Sequence, residues 1–312
     1  MKHKLKWIRW GIGAVLIVIF FLLLWKFGEK ELWKNTFLFL LQHPVQLILG
    51  FFVYFLSFVL KAIAWTWTLQ SKISIKTAIV GIWYSLFFNH LLPVKGGEVA
   101  RIYVGYNRRR KGSLSEIIQS VALLRLFDLF SLLCLSLFFG FAVISKLSSY
   151  WILVVVGGIL VVLVSLPLML KWPSVFQRQW LIFRQLFFRR QIIFVFALVF
   201  TSWILEGSIL FSVMYAIMPD FTFWNAVVTN SVTVLGQIFQ ITPGGIANYE
   251  TVMSVTLRTY GILFEIGLFA AIITHGMKFL FSYLVGGIAW YLDPISYKQI
   301  KSFSLTDEER NG

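Results

Sequence analysis

The sequence predicts an all-α polytopic membrane protein with six full spans and two re-entrant helical hairpins, arranged as an inverted repeat. Of its 312 residues, 59% are hydrophobic and 13% are charged. The mean hydropathy is +0.81, so the chain has too little polar surface for a soluble domain of this size. The apolar residues form long runs, and two of these runs are interrupted by a cluster of Pro, Gly and Glu.

Six apolar stretches are long enough to cross a bilayer, which requires roughly 20 residues. The first follows a basic N-terminus without a small-residue cleavage site, so we expect an uncleaved membrane helix. Next to it, residues 29–43 mix charges with Leu and Phe, which indicates either an amphipathic surface helix or a linker. The predicted spans lie at about residues 8–26, 45–69, 115–144, 150–171, 191–217 and 265–291.

Two further apolar regions, at about 77–112 and 222–260, contain the Pro/Gly clusters and divide into pieces too short to cross alone. Broken backbone is tolerated at membrane depth only where it is buried in protein or lines a cavity. Matching breaks in two halves are typical of transporter binding sites. We therefore predict one re-entrant hairpin in each of two halves, residues 1–149 and residues 150–312, which together form one membrane domain.

The distribution of basic residues supports this layout. Every basic connection falls on one side if 77–112 enters from the cytoplasmic face and 222–260 from the external face. The two halves then have opposite orientations, and we expect both termini to be cytoplasmic in a plasma-membrane protein. The net charge of +15 follows this topology. It favours contact with anionic lipid and gives no support for nucleic-acid binding.

Polar and charged residues recur at matching places in the two halves. A charge at a helix centre costs about 2.5–3.5 kcal/mol on insertion scales, so these side chains need partners or water. We predict that they face one shared cavity near the bilayer midplane. The candidate substrate-binding or transport residues are Asn89, Pro93, Gly96, Gly97, Glu98, Arg101, Arg125, Asp128, Pro243, Gly244, Gly245, Asn248, Glu250, His275 and Lys278. The candidate coupling residues, at equivalent positions in the halves, are Lys61 and Glu206.

The residue types in this set suit an anionic head group. Half-helices that begin at the glycine pairs 96–97 and 244–245 would direct free N–H groups at the cavity. We expect Arg125 and Lys278 to supply cations to the same anion. For His275, a packed polar residue and a proton carrier are both open interpretations.

Structural interpretations of the same charges also remain open. Glu98 and Glu250 fall in the first turns of their half-helices, where a carboxylate stabilises the helix dipole without a further role. Arg101 is placed to pair with Glu98, and Arg125 with Asp128, at helical spacing.

The sequence shows no nucleotide-binding loop, metal-ligand spacing or Ser-His-Asp arrangement. We therefore expect no cofactor and no metal, and enzymatic activity is not indicated. Cys134, the single cysteine, lies in an apolar run and is interpreted as a packing residue. Transport would draw on an ion gradient or a partner, or would be passive scrambling.

Residues 92–101, 124–128 and 242–250 resemble motifs of the lysylphosphatidylglycerol synthase transmembrane-region family, also called flippase-like integral membrane proteins. The resemblance covers nearly the whole chain. It implies a membrane domain that moves lipids between leaflets. The chain ends at Gly312, about twenty residues after the last predicted span, so we expect no soluble acyltransferase domain of the kind found in full-length synthases.

Three functions follow as hypotheses. The first is a flippase or scramblase for an anionic or aminoacylated phospholipid, or for a lipid-linked phosphate. The second is the membrane subunit of an aminoacyl-phosphatidylglycerol synthase whose soluble catalytic chain is a separate partner. The third is a small-solute or ion transporter. A homo-oligomer is compatible with each.

Overall fold

The computed structural model describes residues 30–91, 96–109, 113–138, 173–237 and 245–295. Within these ranges the regular secondary structure is helical, and they contain no β-strand, so the all-α class is confirmed for them. The helices are α1 (Lys30–Leu41), α2 (Pro44–Thr68), α3 (Ile75–Leu91), α4 (Gly97–Asn107), α5 (Leu114–Phe138), α6 (Pro173–Phe187), α7 (Ile192–Glu206), α8 (Ser208–Ile217), α9 (Phe223–Gly236), α10 (Asn248–Arg258) and α11 (Phe264–Leu292).

Four of the predicted spans are confirmed as helices long and apolar enough to cross a membrane. They are α2, α5, α7 together with α8, and α11, and each begins within about one residue of its predicted start. The predicted spans at 8–26 and 150–171 lie outside the described residues. Helix α1 shows that the 29–43 region is helical, and it packs against α8. The chain is a multi-pass membrane protein.

The span formed by α7 and α8 is interrupted at Gly207. A Cβ atom there would lie 2.9 Å from Val227 Cγ2, so glycine permits the close approach of α9. The backbone N–H of Gly207 donates to the carbonyl of Ile204 at 3.1 Å, in a tighter turn than an α-helix. Immediately after the break, the Ser208 hydroxyl donates to the Gly50 carbonyl of α2 at 2.8 Å. Small residues thus permit the close contacts of α8 with α2 and of the Gly207 turn with α9.

The two regions predicted as hairpins each contain a pair of short helices that pack against one another, α3 with α4 and α9 with α10. Helices α4 and α10 have 11 residues each, or roughly 16 Å at 1.5 Å per residue. Helix α9 has 14 residues, or roughly 21 Å, and α3 has 17, or roughly 25 Å. All four are shorter than the ~30 Å hydrocarbon core.

The packing centres on α2, which lies along α7 and α8. Helix α11 contacts α3, α8 and α10, and α5 contacts α6, α7 and α9. Phe281 of α11 inserts between aromatic rings of α2, with centroid distances of 5.0 Å to Tyr54 and 5.3 Å to Phe58. Such aromatic pairs contribute about 0.5–1.5 kcal/mol beyond the area they bury. This aromatic cluster fixes α11 against α2 and positions the polar residues of both helices.

Candidate functional site

Charged side chains lie near the middle of several spans. Arg125 and Asp128 are close to the midpoint of α5, Lys278 is at the midpoint of α11, and Glu206 lies beside the break in the α7–α8 span. Lys61 is in the second half of α2. At these depths an unpaired charge is expensive. Their partners therefore decide what the site can do.

Six charged side chains form one network that joins α2, α4, α5 and α7. It contains three cations and three carboxylates, so its formal charges sum to zero. We call it the charged network. Its members are Lys61, Glu98, Arg101, Arg125, Asp128 and Glu206.

At one end of the charged network, Lys61 contacts two carboxylates. Its Nζ lies 2.5 Å from Glu206 Oε1 and 3.7 Å from Asp128 Oδ1. The same ammonium lies 3.7 Å from the centroid of the Trp203 ring, a cation–π contact. The indole N–H of Trp203 donates to Asp128 Oδ1 at 2.8 Å. The two predicted coupling residues, Lys61 and Glu206, are thus direct partners.

Arg125 is the centre of the other end. One of its guanidinium nitrogens donates to Asp128 Oδ2 at 3.1 Å, and the other pairs with Glu98 Oε1. Glu98 Oε1 also accepts from the Ser85 hydroxyl at 2.9 Å. Arg101 lies 3.7 Å from Glu98 Oε2. The ion pairs expected from helical spacing, Arg101 with Glu98 and Arg125 with Asp128, are therefore present.

Access from outside the protein differs sharply within the charged network. The side chain of Arg125 is 44% exposed, whereas that of Glu98 is 23% exposed and those of Lys61, Asp128 and Glu206 are 14% or less. Helix α5 places Arg125 beside its exposed residues Leu126 and Leu129. Arg125 is therefore the member of the charged network best placed to meet a ligand that enters from the membrane.

Where the helices are interrupted next to these residues, side-chain amides form hydrogen bonds with backbone groups. The Asn89 side chain accepts from the N–H of Gly97 at 3.0 Å, and the Asn248 side chain donates to the Gly236 carbonyl at 2.9 Å. Helix α4 begins at Gly97, directly after Gly96, as predicted.

The start of the second half-helix differs from the prediction. Helix α10 begins at Asn248 and not at the 244–245 glycine pair. Gly245 and Ala247 have φ angles of +79° and +73°, in the left-handed region, so the chain turns before the helix can start. Pro93, Pro243 and Gly244 lie outside the described residues.

A second group of polar residues surrounds the middle of α11. We call it the α11 cluster, and its members are Asn230, Tyr249, Glu250, His275 and Lys278. His275 Nδ1 lies 2.7 Å from Glu250 Oε1, and Lys278 Nζ donates to Asn230 Oδ1 at 2.6 Å. The His275 ring stacks on Tyr249 at 4.1 Å between centroids. All five residues are buried.

Several buried polar atoms of the α11 cluster have no hydrogen-bond partner within the part of the chain that the structure describes. They are Asn230 Nδ2, the Tyr249 hydroxyl and Glu250 Oε2. Within the same described residues, no carboxylate lies within salt-bridge distance of Lys278. The ammonium of Lys278 is attracted by the Glu206 carboxylate and repelled by Lys61 at longer range. Buried polar groups normally find partners, so this cluster has capacity for a ligand or water.

The predicted residues therefore form two neighbouring groups. Arg125 pairs with carboxylates in the charged network, and Lys278 contacts an amide in the α11 cluster, so the expectation that both hold the same anion needs a rearrangement. Sequence reasoning did not select Trp203, Asn230 or Tyr249 as site residues. Asn230 could have been found as an amide in the interior of an apolar helix.

No group of three or more metal-ligating side chains occurs among the described residues.

Comparison with known proteins gives a family. The model of the family described as lysylphosphatidylglycerol synthase TM region matches residues 8–286. The chain belongs to this family. As a lysylphosphatidylglycerol synthase TM region, it carries both the charged network and the α11 cluster inside the matched residues. Searches of curated proteins and of solved structures returned no match.

Proposed function

We propose that the protein moves lipids between membrane leaflets as a flippase or scramblase. Its substrate is an anionic or aminoacylated phospholipid, or a lipid-linked phosphate, whose head group enters between the helices near the bilayer midplane. The observation that carries this proposal is the charged network in the middle of the spans, with Arg125 44% exposed. Ionisable residues at this depth usually mark a substrate or ion pathway.

The packing of the helices supports an inverted repeat of residues 1–149 and 150–312. The helices form two sets with the same order, in which a long span is followed by a pair of short helices and a second long span. The first set is α2, α3–α4 and α5, and the second set is α7–α8, α9–α10 and α11. The contacts are exchanged between the two sets, since α11 packs on α3 and α5 packs on α9. The short pairs are the elements we assign to re-entrant hairpins, because none is long enough to cross the hydrocarbon core.

Alternating access would use the contacts between these two sets. The pair formed by Lys61 and Glu206 joins α2 to α7, equivalent helices in the proposed repeat. We infer that one set rotates against the other about this pair. The site is then opened to each leaflet in turn.

The family description itself favours a second candidate function. It names a lysylphosphatidylglycerol synthase, so the protein would be the membrane subunit of an aminoacyl-phosphatidylglycerol synthase and would act with a soluble partner chain. Aminoacylation that depends on both chains, or their stable co-purification, would favour this function over lipid movement alone. In either case we assign the protein to the plasma membrane with its termini in the cytoplasm, from the positions of its basic residues.

The test is translocation of tail-labelled phosphatidylglycerol by purified protein in vesicles. Arg125→Gln should lower the initial rate about tenfold or more, because a charge-assisted hydrogen bond contributes roughly 1.5–3 kcal/mol. Arg125→Lys should be intermediate, since it retains the charge without the two-pronged guanidinium. The matched control is Arg258→Gln, an exposed arginine at the end of α10.

Folding of each variant is checked by gel filtration and by thermal unfolding in detergent. A folded wild-type protein that moves no lipid would refute the proposed function. A folded Arg125→Gln variant with the wild-type rate would remove Arg125 from the binding site.

A further inference from the structure

The α11 cluster contains a histidine–carboxylate pair that the proposed function does not yet use. His275 Nδ1 and Glu250 Oε1 are 2.7 Å apart, and their side chains are 3% and 6% exposed. The pair joins α10 to α11 in the interior of the bundle. Since carbonyl and carboxylate oxygens only accept, the neutral ring donates its Nδ1–H to Glu250 and has Nε2 available for a second proton.

The surroundings hold this ring in one place. Tyr249 stacks on one side of His275 at 4.1 Å, and Phe279 contacts it at 4.8 Å. Phe279 also contacts the ring of His90 on α3 at 4.8 Å. The Nδ1 of His90 is 3.0 Å from the Leu86 carbonyl, so His90 donates to the backbone and has no carboxylate of its own in this contact.

Charge counting distinguishes the α11 cluster from the charged network. The charged network is balanced, with three cations and three carboxylates. In the α11 cluster, one ammonium on Lys278 stands against one carboxylate on Glu250, so these two formal charges sum to zero when His275 carries a single ring proton. Addition of one proton to His275 leaves one positive charge in excess. The donors of the Asn230 amide and the Tyr249 hydroxyl already lack a partner among the described residues. One negatively charged head group would restore the balance.

The other groups that face this region do not change that count. Helix α2 contributes Tyr54, whose ring centroid lies 5.8 Å from Lys278 Nζ. Helix α3 contributes His90, α10 contributes Tyr249 and Glu250, and α11 itself contributes Lys278. Glu206 and Lys61 also influence Lys278, but they are already paired with each other. The titratable residue of α8, Tyr215, is 41% exposed and packs on Phe211.

We propose that lipid movement is coupled to protons: His275 takes up one proton for each singly negative phospholipid head group that the α11 cluster accepts. This inference rests on the proposed function. The proton comes from water on one side, resides on His275 Nε2 during passage, and is released to water on the other side together with the lipid. The transported unit of one proton and one anionic head group carries no net charge.

The thermodynamics of such a symporter do not depend on how the protein is oriented in a vesicle. A difference of one pH unit corresponds to about 1.4 kcal/mol, or tenfold. At zero membrane potential, the labelled lipid should therefore accumulate about tenfold in the leaflet that faces the alkaline compartment. Reversal of the pH gradient should reverse the accumulation.

The experiment uses vesicles that contain the full chain and a short-chain fluorescent phosphatidylglycerol, with potassium and valinomycin to hold the membrane potential at zero. Extraction by albumin measures the label in the outer leaflet. Protein-free vesicles and a zwitterionic phosphatidylcholine label are run in parallel, and neither should show the accumulation.

Two variants separate coupling from movement. His275→Gln removes the added charge, so anionic lipid movement should fall and no longer respond to pH. Glu250→Gln leaves Lys278 in permanent excess, so movement should continue but without accumulation on the alkaline side. His43→Gln, between α1 and α2, is the matched control and should behave as wild type.

Each outcome is decisive. Wild-type protein that equilibrates anionic lipid without responding to the pH gradient would overturn the coupling and leave the proposed function intact. Accumulation that persists in folded His275→Gln and Glu250→Gln variants would overturn the assignment to this pair. Wild-type protein that moves no lipid would overturn the proposed function and this inference with it.

Discussion

Removal of one partner from the Lys61–Glu206 pair should destabilise the protein strongly. At an effective dielectric constant of 20, two unit charges 4 Å apart attract by about 4 kcal/mol, and Lys61 lies 2.5 Å from Glu206 and 3.7 Å from Asp128. Desolvation offsets much of this attraction. Loss of one member of a buried pair nevertheless costs roughly 3–5 kcal/mol, because the other charge remains buried. We expect Lys61→Met to lose stability in this range and Glu206→Gln to lose less, because Lys61 retains Asp128 at 3.7 Å.

The double variant is the informative measurement. The double variant Lys61→Met/Glu206→Gln removes both charges. Its loss in free energy of unfolding should therefore be smaller than the sum of the two single losses by about 2 kcal/mol, which is within the usual range for coupled neighbours. Asp128 retains Arg125 and the Trp203 indole in every variant.

Reversible unfolding in mixed detergent micelles supplies the free energies for this cycle. A parallel cycle at the more exposed pair of Lys72 and Glu116, where the lysine is 31% exposed, should give a smaller coupling. Strict additivity at Lys61 and Glu206 would refute the idea that these two residues form one buried unit.

Two further predictions concern close approaches of the helices. Gly286→Ala should cost about 1–3 kcal/mol through overpacking, because its Cβ would lie 2.5 Å from the Phe87 ring, while Gly287→Ala, with nothing within 4 Å, should unfold at the wild-type temperature. Gly97→Ala should also lower the unfolding temperature, because the new methyl group would collide with the Ser85 carbonyl oxygen. Equal stability of the two α11 variants, or a wild-type unfolding temperature for Gly97→Ala, would contradict these contacts.

The spans could be predicted because their lengths and apolar character are local properties of the chain. The same holds for the start of α4 at Gly97 and for the positions of Glu98 and Glu250 in the first turns of their helices. The equivalence of the Lys61 and Glu206 positions depends on the proposed repeat and stays a prediction. Their direct contact could not be predicted, since it depends on how α2 lies against α7.

Other features depend on conformation or on long-range packing. The turn before α10 uses Ala247 at φ +73°, which its residue type does not indicate. Asn230 and Lys278 are 48 positions apart in sequence, and they are in contact only because the fold brings their side chains together. The division of the charges into two groups also depends on packing, since α2, α4, α5 and α7 supply the charged network whereas α9, α10 and α11 supply the α11 cluster.

The balance of the charged network constrains how a lipid head group could bind to Arg125. Its charge is already matched by Glu98 and Asp128, so an incoming phosphate meets an unmatched positive charge only if one of these carboxylates moves away. Glu98 is the better candidate, because Arg101 lies 3.7 Å from its second oxygen and the Ser85 hydroxyl already donates to it. A shift of Glu98 towards Arg101 would compensate the displaced charge within α4. Head-group binding would then move a side chain of the short helix pair, and this links the proposed substrate site to the element most suited to open and close it.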